Sequence, residues 1–242
     1  MLVAYGYGFG MYRMYFDWTY LLIIAGVILS LAASSRVKST FNRFASIPTI
    51  QGMTGAQAAE RILRQAGIYD VSIVHVSGQL TDNYNPGNKT LSLSDSTYSS
   101  TSVAAIGVAA HECGHAIQHQ TGYVPIKIRS AIVPVTNIGA TLSFPLVIIG
   151  ILMGGNSLLI NIGILLFTFV VVFHLVTLPV EYNASNRALQ ILSSTGMLQG
   201  GENDGAKKVL SAAALTYVAS AATMILQLLR LLILANNNRR NR

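Results

Sequence analysis

Two histidines spaced four residues apart are the residues of this chain best suited to do chemistry. They open and close the segment His111-Glu112-Cys113-Gly114-His115. On an α-helix, residues four apart lie on one face, so both imidazoles can reach one metal ion. Glu112 is rotated by about 100° from His111, so its carboxylate can contact water beside the ion rather than the ion itself. The segment therefore predicts a Zn²⁺ site with Glu112 as the general base.

The segment lies in a stretch that is typical of one apolar helix over residues 98–120. The small and apolar run VAAIGVAA directly precedes His111. Charged and imidazole side chains on so apolar a helix need polar partners, because an unpaired buried charge is costly. This context favours a metal site over histidines that only hydrogen-bond inside a core.

A catalytic zinc ion needs a third protein ligand. The candidates are His75, His119, His174, Glu181, Asp82 and Asp95. His119 continues the row of histidines, but three ligands along one straight helix diverge along its axis. Glu181 is better placed, because it directly follows an apolar stretch and Pro179. Ser185, one turn after Glu181, could hydrogen-bond a histidine ligand.

The rest of the chain predicts a membrane protein. Hydrophobic residues make up 52% of it and charged residues only 10%, against about 25% charged in soluble domains. Four stretches can each span a bilayer, at about residues 18–33, 131–153, 157–178 and 209–235. We expect the first to be a retained anchor rather than a cleaved signal peptide, because its leader carries one cation, Arg13. A single cysteine, Cys113, excludes an intrachain disulfide framework.

Charge near the four spans predicts their orientation. The loops on one side carry Arg36, Lys38, Arg43, Lys127, Arg129, Arg187, Lys207 and Lys208, and the other side carries Arg13, Arg239, Arg240 and Arg242. By the positive-inside rule, the protein is a multi-pass cell-membrane protein whose active-site loops face the cytoplasm. The cations lack the interleaved aromatic residues of a nucleic-acid surface, so the lipid bilayer is the expected partner and nucleic acid is not.

The predicted organisation has five parts, and the fold class is a mainly α membrane protein with a small α+β zincin-like unit. The parts are an N-terminal interfacial segment with the first span (1–33), an α+β catalytic segment (34–130), a transmembrane hairpin (131–178), a third-ligand helix and loop (179–208), and a fourth span with a basic tail (209–242). Within the catalytic segment, the patterns predict a helix over 54–65, a strand over 71–76 and a hairpin of 79–84 with 89–93. Residues 196–206 predict a flexible loop.

Three further residues have both a functional and a structural interpretation. His174 lies inside the third span and is a functional candidate by position, or it hydrogen-bonds within the helix bundle. Arg187 could stabilise an oxyanion or neutralise Glu181, or it could face lipid phosphates. Tyr84 on the predicted hairpin could help to polarise a carbonyl group beside a sheet edge that binds an extended peptide, or the hairpin could be structural.

Four segments resemble the YugP-type neutral zinc metallopeptidases, a family of bacterial membrane proteases. They are residues 16–17 (FD), 78–86 (GQLTDNYNP), 108–118 (VAAHECGHAIQ) and 178–188 (LPVEYNASNRA). The resemblance implies that His111, His115 and Glu181 are the zinc ligands of a gluzincin arrangement and that Glu112 is the base. The chain departs from the family pattern at Cys113, where valine is usual, and at Asn183, where aspartate is usual. We expect Cys113 to face away from the metal.

The sequence thus predicts a zinc-dependent, membrane-embedded metallopeptidase. Its expected substrates are membrane proteins or unfolded polypeptides near the bilayer, because such a site can reach them. The competing interpretation is a non-catalytic membrane scaffold with a structural zinc site. The intact Glu112 argues against it, because a structural site needs no base. A transporter is disfavoured by the few ionisable groups inside the spans.

Overall fold

The computed structural model describes residues 18–240, and side chains up to residue 237. The elements are α1 (Tyr20–Ala45), α2 (Gly55–Gln65), β1 (Ser72–Val76), β2 (Asn83–Asn85), β3 (Thr90–Ser94), α3 (Val103–Gln120), α4 (Val124–Leu152), α5 (Ser157–Ser194) and α6 (Gly201–Arg240). The predicted fold class is confirmed: this is a mainly α membrane protein with a small α+β unit. The predicted N-terminal interfacial segment before Trp18 and the last two residues of the basic tail lie outside the described residues.

Helices α1, α4, α5 and α6 are each long and apolar enough to cross a membrane. They carry large apolar side chains on their outer faces, among them Leu31, Leu158 and Leu165 at 58–66% exposure. Helix α5 has 38 residues, which at 1.5 Å per residue is about 57 Å, well beyond the roughly 30 Å of a hydrocarbon core. Its apolar part therefore continues, without a break at Pro179, into the polar segment that contains Glu181.

The predicted transmembrane hairpin is formed by α4 and α5. Its turn uses two glycines with positive φ, Gly154 (68°) and Gly155 (82°). The side chain of Asn156 then caps α5 by accepting from the backbone N–H groups of residues 158 and 159. Small residues let the two helices pack closely: a Cβ on Gly139 would lie 2.5 Å from the carbonyl oxygen of Leu166.

The α+β unit contains a three-stranded sheet in the order β1-β3-β2. Strand β1 pairs in parallel with β3, and β2 pairs with β3 antiparallel. The predicted hairpin is confirmed, but its first strand is Asn83–Asn85 rather than residues 79–84. The side chain of Asn85 accepts from the backbone N–H of Gly87 in the turn. Strand β2 is an edge strand, so one side of it has no partner strand within the sheet.

The predicted helix over 54–65 is confirmed, and its start is fixed by a capping box. The hydroxyl of Thr54 accepts from the backbone of Gln57, whose side chain accepts from the backbone of Thr54. The helix that carries the histidines begins at Val103 rather than at residue 98. It begins there because the hydroxyl of Ser102 accepts from the backbone N–H of Ala105 and caps the first turn.

The prediction of a loop over 196–206 is wrong in its second half, because α6 begins at Gly201. Two acidic residues, Glu202 and Asp204, lie in the first turn of α6 and complement the positive end of the helix dipole. The carboxylate of Glu202 also accepts from the backbone N–H groups of Gln199 and Ile50. A tertiary contact to residue 50 thus helps to set where the helix starts.

Helix α3 lies at the centre of the protein core, between α2, α5 and α6. Its alanines at 104, 105, 109 and 110 are fully buried. Cys113 is also fully buried, and its thiol donates to the carbonyl oxygen of Ala59 on α2 at 3.6 Å. Cys113 therefore faces α2, on the side of α3 away from the two histidines, as expected from its position on the helix.

Candidate metal centre

The site is built where α3 and α5 touch at Gly114 of the histidine segment. A Cβ on Gly114 would lie 2.6 Å from the carbonyl oxygen and 3.1 Å from the Cα of Ala184. Only a residue without a side chain permits so close an approach of the two backbones. The contact brings the histidine face of α3 against Glu181, one turn before Ala184 on α5.

The side chains of His111, His115 and Glu181 converge in the buried interior. The Oε2 atom of Glu181 lies 3.3 Å from Nε2 of His111 and 3.4 Å from Nε2 of His115. The three possible ligand atoms lie within 4.8 Å of one another, and among the described residues this is the one such group of histidine, cysteine or acidic side chains. The contact between α3 and α5 brings Glu181 next to the two histidines, although they are far apart in the sequence.

The remaining ring nitrogens of both histidines have protein partners. Nδ1 of His111 lies 3.1 Å from the hydroxyl of Ser185, and Nδ1 of His115 lies 3.0 Å from Oε1 of Gln118. These contacts orient both rings so that Nε2 faces Glu181. This is the arrangement that metal-ligating histidines adopt, with one nitrogen on the metal and the other held by a hydrogen-bonding neighbour.

The residues fit a zinc ion. Buried Oε2 of Glu181 has no hydrogen-bond partner, although a buried carboxylate oxygen normally needs one. A tetrahedral ion with bonds of about 2.0–2.1 Å separates its ligand atoms by about 3.3–3.4 Å. The distances of 3.3 and 3.4 Å from Oε2 to the two imidazole nitrogens match that separation. Two imidazoles and one carboxylate also form a donor set that suits zinc.

A cavity of about 300 Å³ opens beside these side chains. It is lined by Asp82, Asn83, Tyr84, Pro86, Glu112, His115, Ile126, Arg129, Ser130, Val133, Glu181 and Tyr217. The cavity thus lies between the edge strand β2, the histidine helix α3 and the helices α4, α5 and α6. A substrate entering it would meet Glu112 and the metal-ligand candidates together.

Glu112 lies at the inner wall of this cavity and is 8% exposed. Burial raises the pKa of its carboxyl group above the ordinary value, and the neighbouring His111 and His115 oppose that rise. It lies beside the ligand group without being part of it. The position agrees with the rotation expected from its place between the histidines.

Of the other predicted site residues, Ser185 and Tyr84 lie near the centre. Ser185 contacts His111, as described above. Tyr84 lines the cavity from β2, and its hydroxyl lies 3.3 Å from Nδ1 of His119. That contact places His119 beyond the ligand group, next to the strand.

His174 and Arg187 do not line the cavity. The ring of His174 lies edge-on to that of Phe173, with centroids 5.7 Å apart. Arg187 donates from Nε to Oδ1 of Asn183 at 2.8 Å, and within the described residues it forms no ion pair with Glu181. The structure thus gives neither residue a direct contact with the ligand group.

The remaining candidates for a third ligand have partners elsewhere. His75 pairs with Asp95 at 2.6 Å on the exposed surface of the sheet. The carboxylate of Asp82 accepts from the backbone and hydroxyl of Ser94. Asp82 therefore fastens the loop before β2, which forms one rim of the cavity.

Sequence reasoning missed three residues of the site: Gln118, Arg129 and Tyr217. Gln118 follows His111 and His115 at the spacing i, i+4 and i+7, so the sequence could have placed it on the same helix face as the histidines. Arg129 was considered only as a marker of membrane orientation. Tyr217, which lies beside both Glu181 and Glu112, comes from the fourth apolar stretch, where no local pattern distinguishes it.

Comparison with known proteins identifies a family for the chain. A family model described as "Putative neutral zinc metallopeptidase" matches residues 19–236. The chain is 45% identical over 218 residues to "Putative membrane protease YugP" of Bacillus subtilis (strain 168), covering 90% of this chain and 96% of that protein. No solved structure shows significant similarity. The match spans all four long helices and both halves of the candidate metal centre, and the chain belongs to this neutral zinc metallopeptidase family.

Proposed function

We propose that this protein is a zinc-dependent metalloendopeptidase that cleaves membrane or unfolded polypeptides near the bilayer. His111, His115 and Glu181 would hold the zinc ion, and Glu112 would be the general base. The observation that carries the proposal is the buried Oε2 of Glu181, which lacks a hydrogen-bond partner and lies at metal-ligand spacing from two imidazole nitrogens.

In the proposed reaction, the zinc ion would activate water and the carbonyl group, and Glu112 would transfer the proton. When bound, zinc supplies a Lewis acid that lowers the pKa of water and polarises the scissile carbonyl group. Glu112 lies in the cavity wall, where its carboxylate can accept a proton from the attacking water. It can then pass that proton to the leaving amine nitrogen, so the base becomes the acid of the second half of the reaction.

The edge strand β2 supports a polypeptide as the substrate. Asn83 and Tyr84 of this strand line the cavity that also contains Glu112. The side of β2 that has no partner strand among the described residues can pair with an extended peptide through backbone hydrogen bonds, which recognise any sequence. A peptide bound in this way would pass beside Glu112, whereas a folded domain would not fit a cavity of about 300 Å³.

The long helices support a site close to the membrane surface. Glu181 follows the apolar part of α5 on the same continuous helix, and the four long helices would make the protein multi-pass. The cations at the ends of the spans favour a cytoplasmic position for the catalytic unit. Substrates would then be segments that emerge from the bilayer on that side.

A proteolysis assay on the full chain in detergent tests this proposal. We expect cleavage of an unfolded, fluorescently labelled protein, loss of cleavage with a chelator, and recovery with added zinc. The helical circular dichroism signal should persist during chelation, because the core around α3 is packed from apolar side chains. Loss of the fold together with the metal would instead indicate the structural zinc site of a scaffold.

Tyr217 is expected to contribute to the rate rather than to metal binding. Its hydroxyl lies in the cavity beside Glu181, where it can donate to the oxygen that becomes negative during hydrolysis. Tyr217→Phe should lower kcat by about 10–100-fold, at or below the loss from removing one oxyanion donor. Zinc content should remain at the wild-type value. Tyr182→Phe, on the exposed side of α5, is the matched control and should leave kcat unchanged; equal rates for all three proteins would exclude this role.

A further inference from the structure

We propose that Gln118 is a positioning residue that fixes the tautomer of His115, with the proton on Nδ1 and the lone pair of Nε2 facing the metal position. The inference rests on the proposed zinc site and concerns how the chain prepares one of its ligands. Gln118 is fully buried and lies one turn after His115 on α3. Its side chain bridges α3 and α5.

The carbonyl group of Val180 sets the orientation of the Gln118 amide. Nε2 of Gln118 lies 2.7 Å from this carbonyl oxygen, which can only accept a hydrogen bond. The NH₂ group of Gln118 must therefore face α5. Its Oε1 consequently faces Nδ1 of His115 at 3.0 Å.

The tautomer of His115 follows from that orientation. An amide oxygen only accepts, so the nitrogen facing it must carry the hydrogen. Nδ1 of His115 is then the donor, and in the neutral ring the other nitrogen, Nε2, has the free lone pair. This is the nitrogen that lies 3.4 Å from Oε2 of Glu181.

The hydrogen bond between Arg187 and Asn183 supports the same orientation of the Gln118 amide. Arg187 donates from Nε to Oδ1 of Asn183 at 2.8 Å, and a guanidinium group can only donate. Oδ1 of Asn183 therefore points toward Arg187, and it also accepts from Nε2 of Gln118 at 3.0 Å. The amide of Gln118 thus donates to two oxygens, and reversing it would set each of them against an oxygen.

The Nδ1 partner of His111 differs in kind from that of His115. Its Nδ1 lies 3.1 Å from the hydroxyl of Ser185, and a hydroxyl can either donate or accept. Ser185 can therefore hold the ring of His111 in place without selecting its tautomer. Of the two imidazoles, His115 is therefore the one whose Nδ1 faces a group that can only accept.

The tautomer can be measured on the metal-free full-length protein. Histidine is labelled with ¹⁵N, and its nitrogen chemical shifts are recorded at an alkaline pH at which imidazoles are neutral. A His115→Ala sample identifies the signals of His115. We expect a single Nδ1–H tautomer in the wild type, whereas Gln118→Met, which keeps the length but lacks the amide, should populate the Nε2–H tautomer as well.

Zinc affinity gives the second readout. Gln118→Met should weaken zinc binding by about 10–100-fold, the usual cost of losing a group that orients a ligand. Asn183→Asp keeps an oxygen acceptor for both Gln118 and Arg187, so it should keep the tautomer and the affinity. Gln190→Met, an exposed glutamine on α5, is the matched control and should match the wild type in both readouts.

The wild-type spectrum alone can overturn the inference. An Nε2–H tautomer at His115 in the wild type would contradict it, even if Gln118→Met did not fold. So would a folded Gln118→Met protein with a pure Nδ1–H tautomer and unchanged zinc affinity. A wild type that shows the Nδ1–H tautomer but binds no zinc would support the assignment of Gln118 and contradict the proposed function.

Discussion

Glu112→Gln is expected to lower kcat/KM for peptide-bond hydrolysis by about 10²–10⁴-fold, the range lost with a positioned acid–base group. Glutamine has the size and shape of glutamate but cannot take a proton from water. Glu112 lines the cavity beside His115 and Glu181 without being a member of the ligand group. The substitution should therefore remove proton transfer and leave the zinc content and thermal stability of the protein unchanged.

The control for this variant is an acidic residue on the same catalytic unit. Glu60→Gln breaks only an exposed ion pair with Arg64 on α2, and it should cleave at the wild-type rate. Both rates are measured with the labelled unfolded substrate at equal zinc occupancy. Cleavage by Glu112→Gln at the wild-type rate would exclude Glu112 as the base.

Gly114→Ala is expected to have the second large effect, through the packing of the two helices that carry the ligands. The new Cβ would lie 2.6 Å from the carbonyl oxygen of Ala184, whereas ordinary contacts begin near 3.4 Å. The helices must move apart by roughly the difference, which exceeds the tolerance of about 0.2 Å in metal–ligand distances. We expect zinc affinity and kcat/KM each to fall by about 10²-fold, the cost of a misplacement of about 1 Å.

The higher helix propensity of alanine stabilises α3 in Gly114→Ala, but it does not restore the spacing between α3 and α5. Replacing a mid-helix glycine by alanine gains about 1 kcal/mol of helix propensity. Gly107→Ala is a control on the same helix, since its Cβ would meet the Cβ of Ala206 at 3.4 Å, an ordinary contact. Gly107→Ala should keep both zinc and activity. Isothermal titration of the two variants with zinc measures the difference, and equal affinities would contradict the role of the α3–α5 contact.

The sequence was informative wherever a local pattern had a direct structural meaning. The spacing of His111 and His115 placed both imidazoles on one face of a helix, and the structure places them there. The polar segment after Pro179 was recognised because a glutamate that directly follows an apolar span is unusual. The glycine turn before α5 and the hairpin of β2 with β3 were predicted from turn residues. Each of these signals extends over only a few residues.

The rest of the site depends on contacts between distant parts of the chain. Tyr217 reaches the cavity because α6 packs beside α5, and nothing near residue 217 indicates this. The start of α6 at Gly201 involves the contact of Glu202 with Ile50, which a local pattern cannot reveal. Similarly, the sequence left Arg187 open between a role at the reaction and a position facing lipid phosphates, and its partner in the structure is Asn183, one turn away.

Zinc analysis of the purified wild type beside Glu181→Ala tests whether Glu181 and the two histidines hold a zinc ion. We expect one zinc ion per wild-type chain, X-ray absorption that shows two imidazole ligands, and loss of stoichiometric zinc in Glu181→Ala. We expect this loss because Glu181 is the one acidic residue, among those that the structure describes, whose carboxylate groups with both imidazoles. Stoichiometric zinc in a folded Glu181→Ala protein, or a wild-type zinc ion without imidazole ligands, would contradict it.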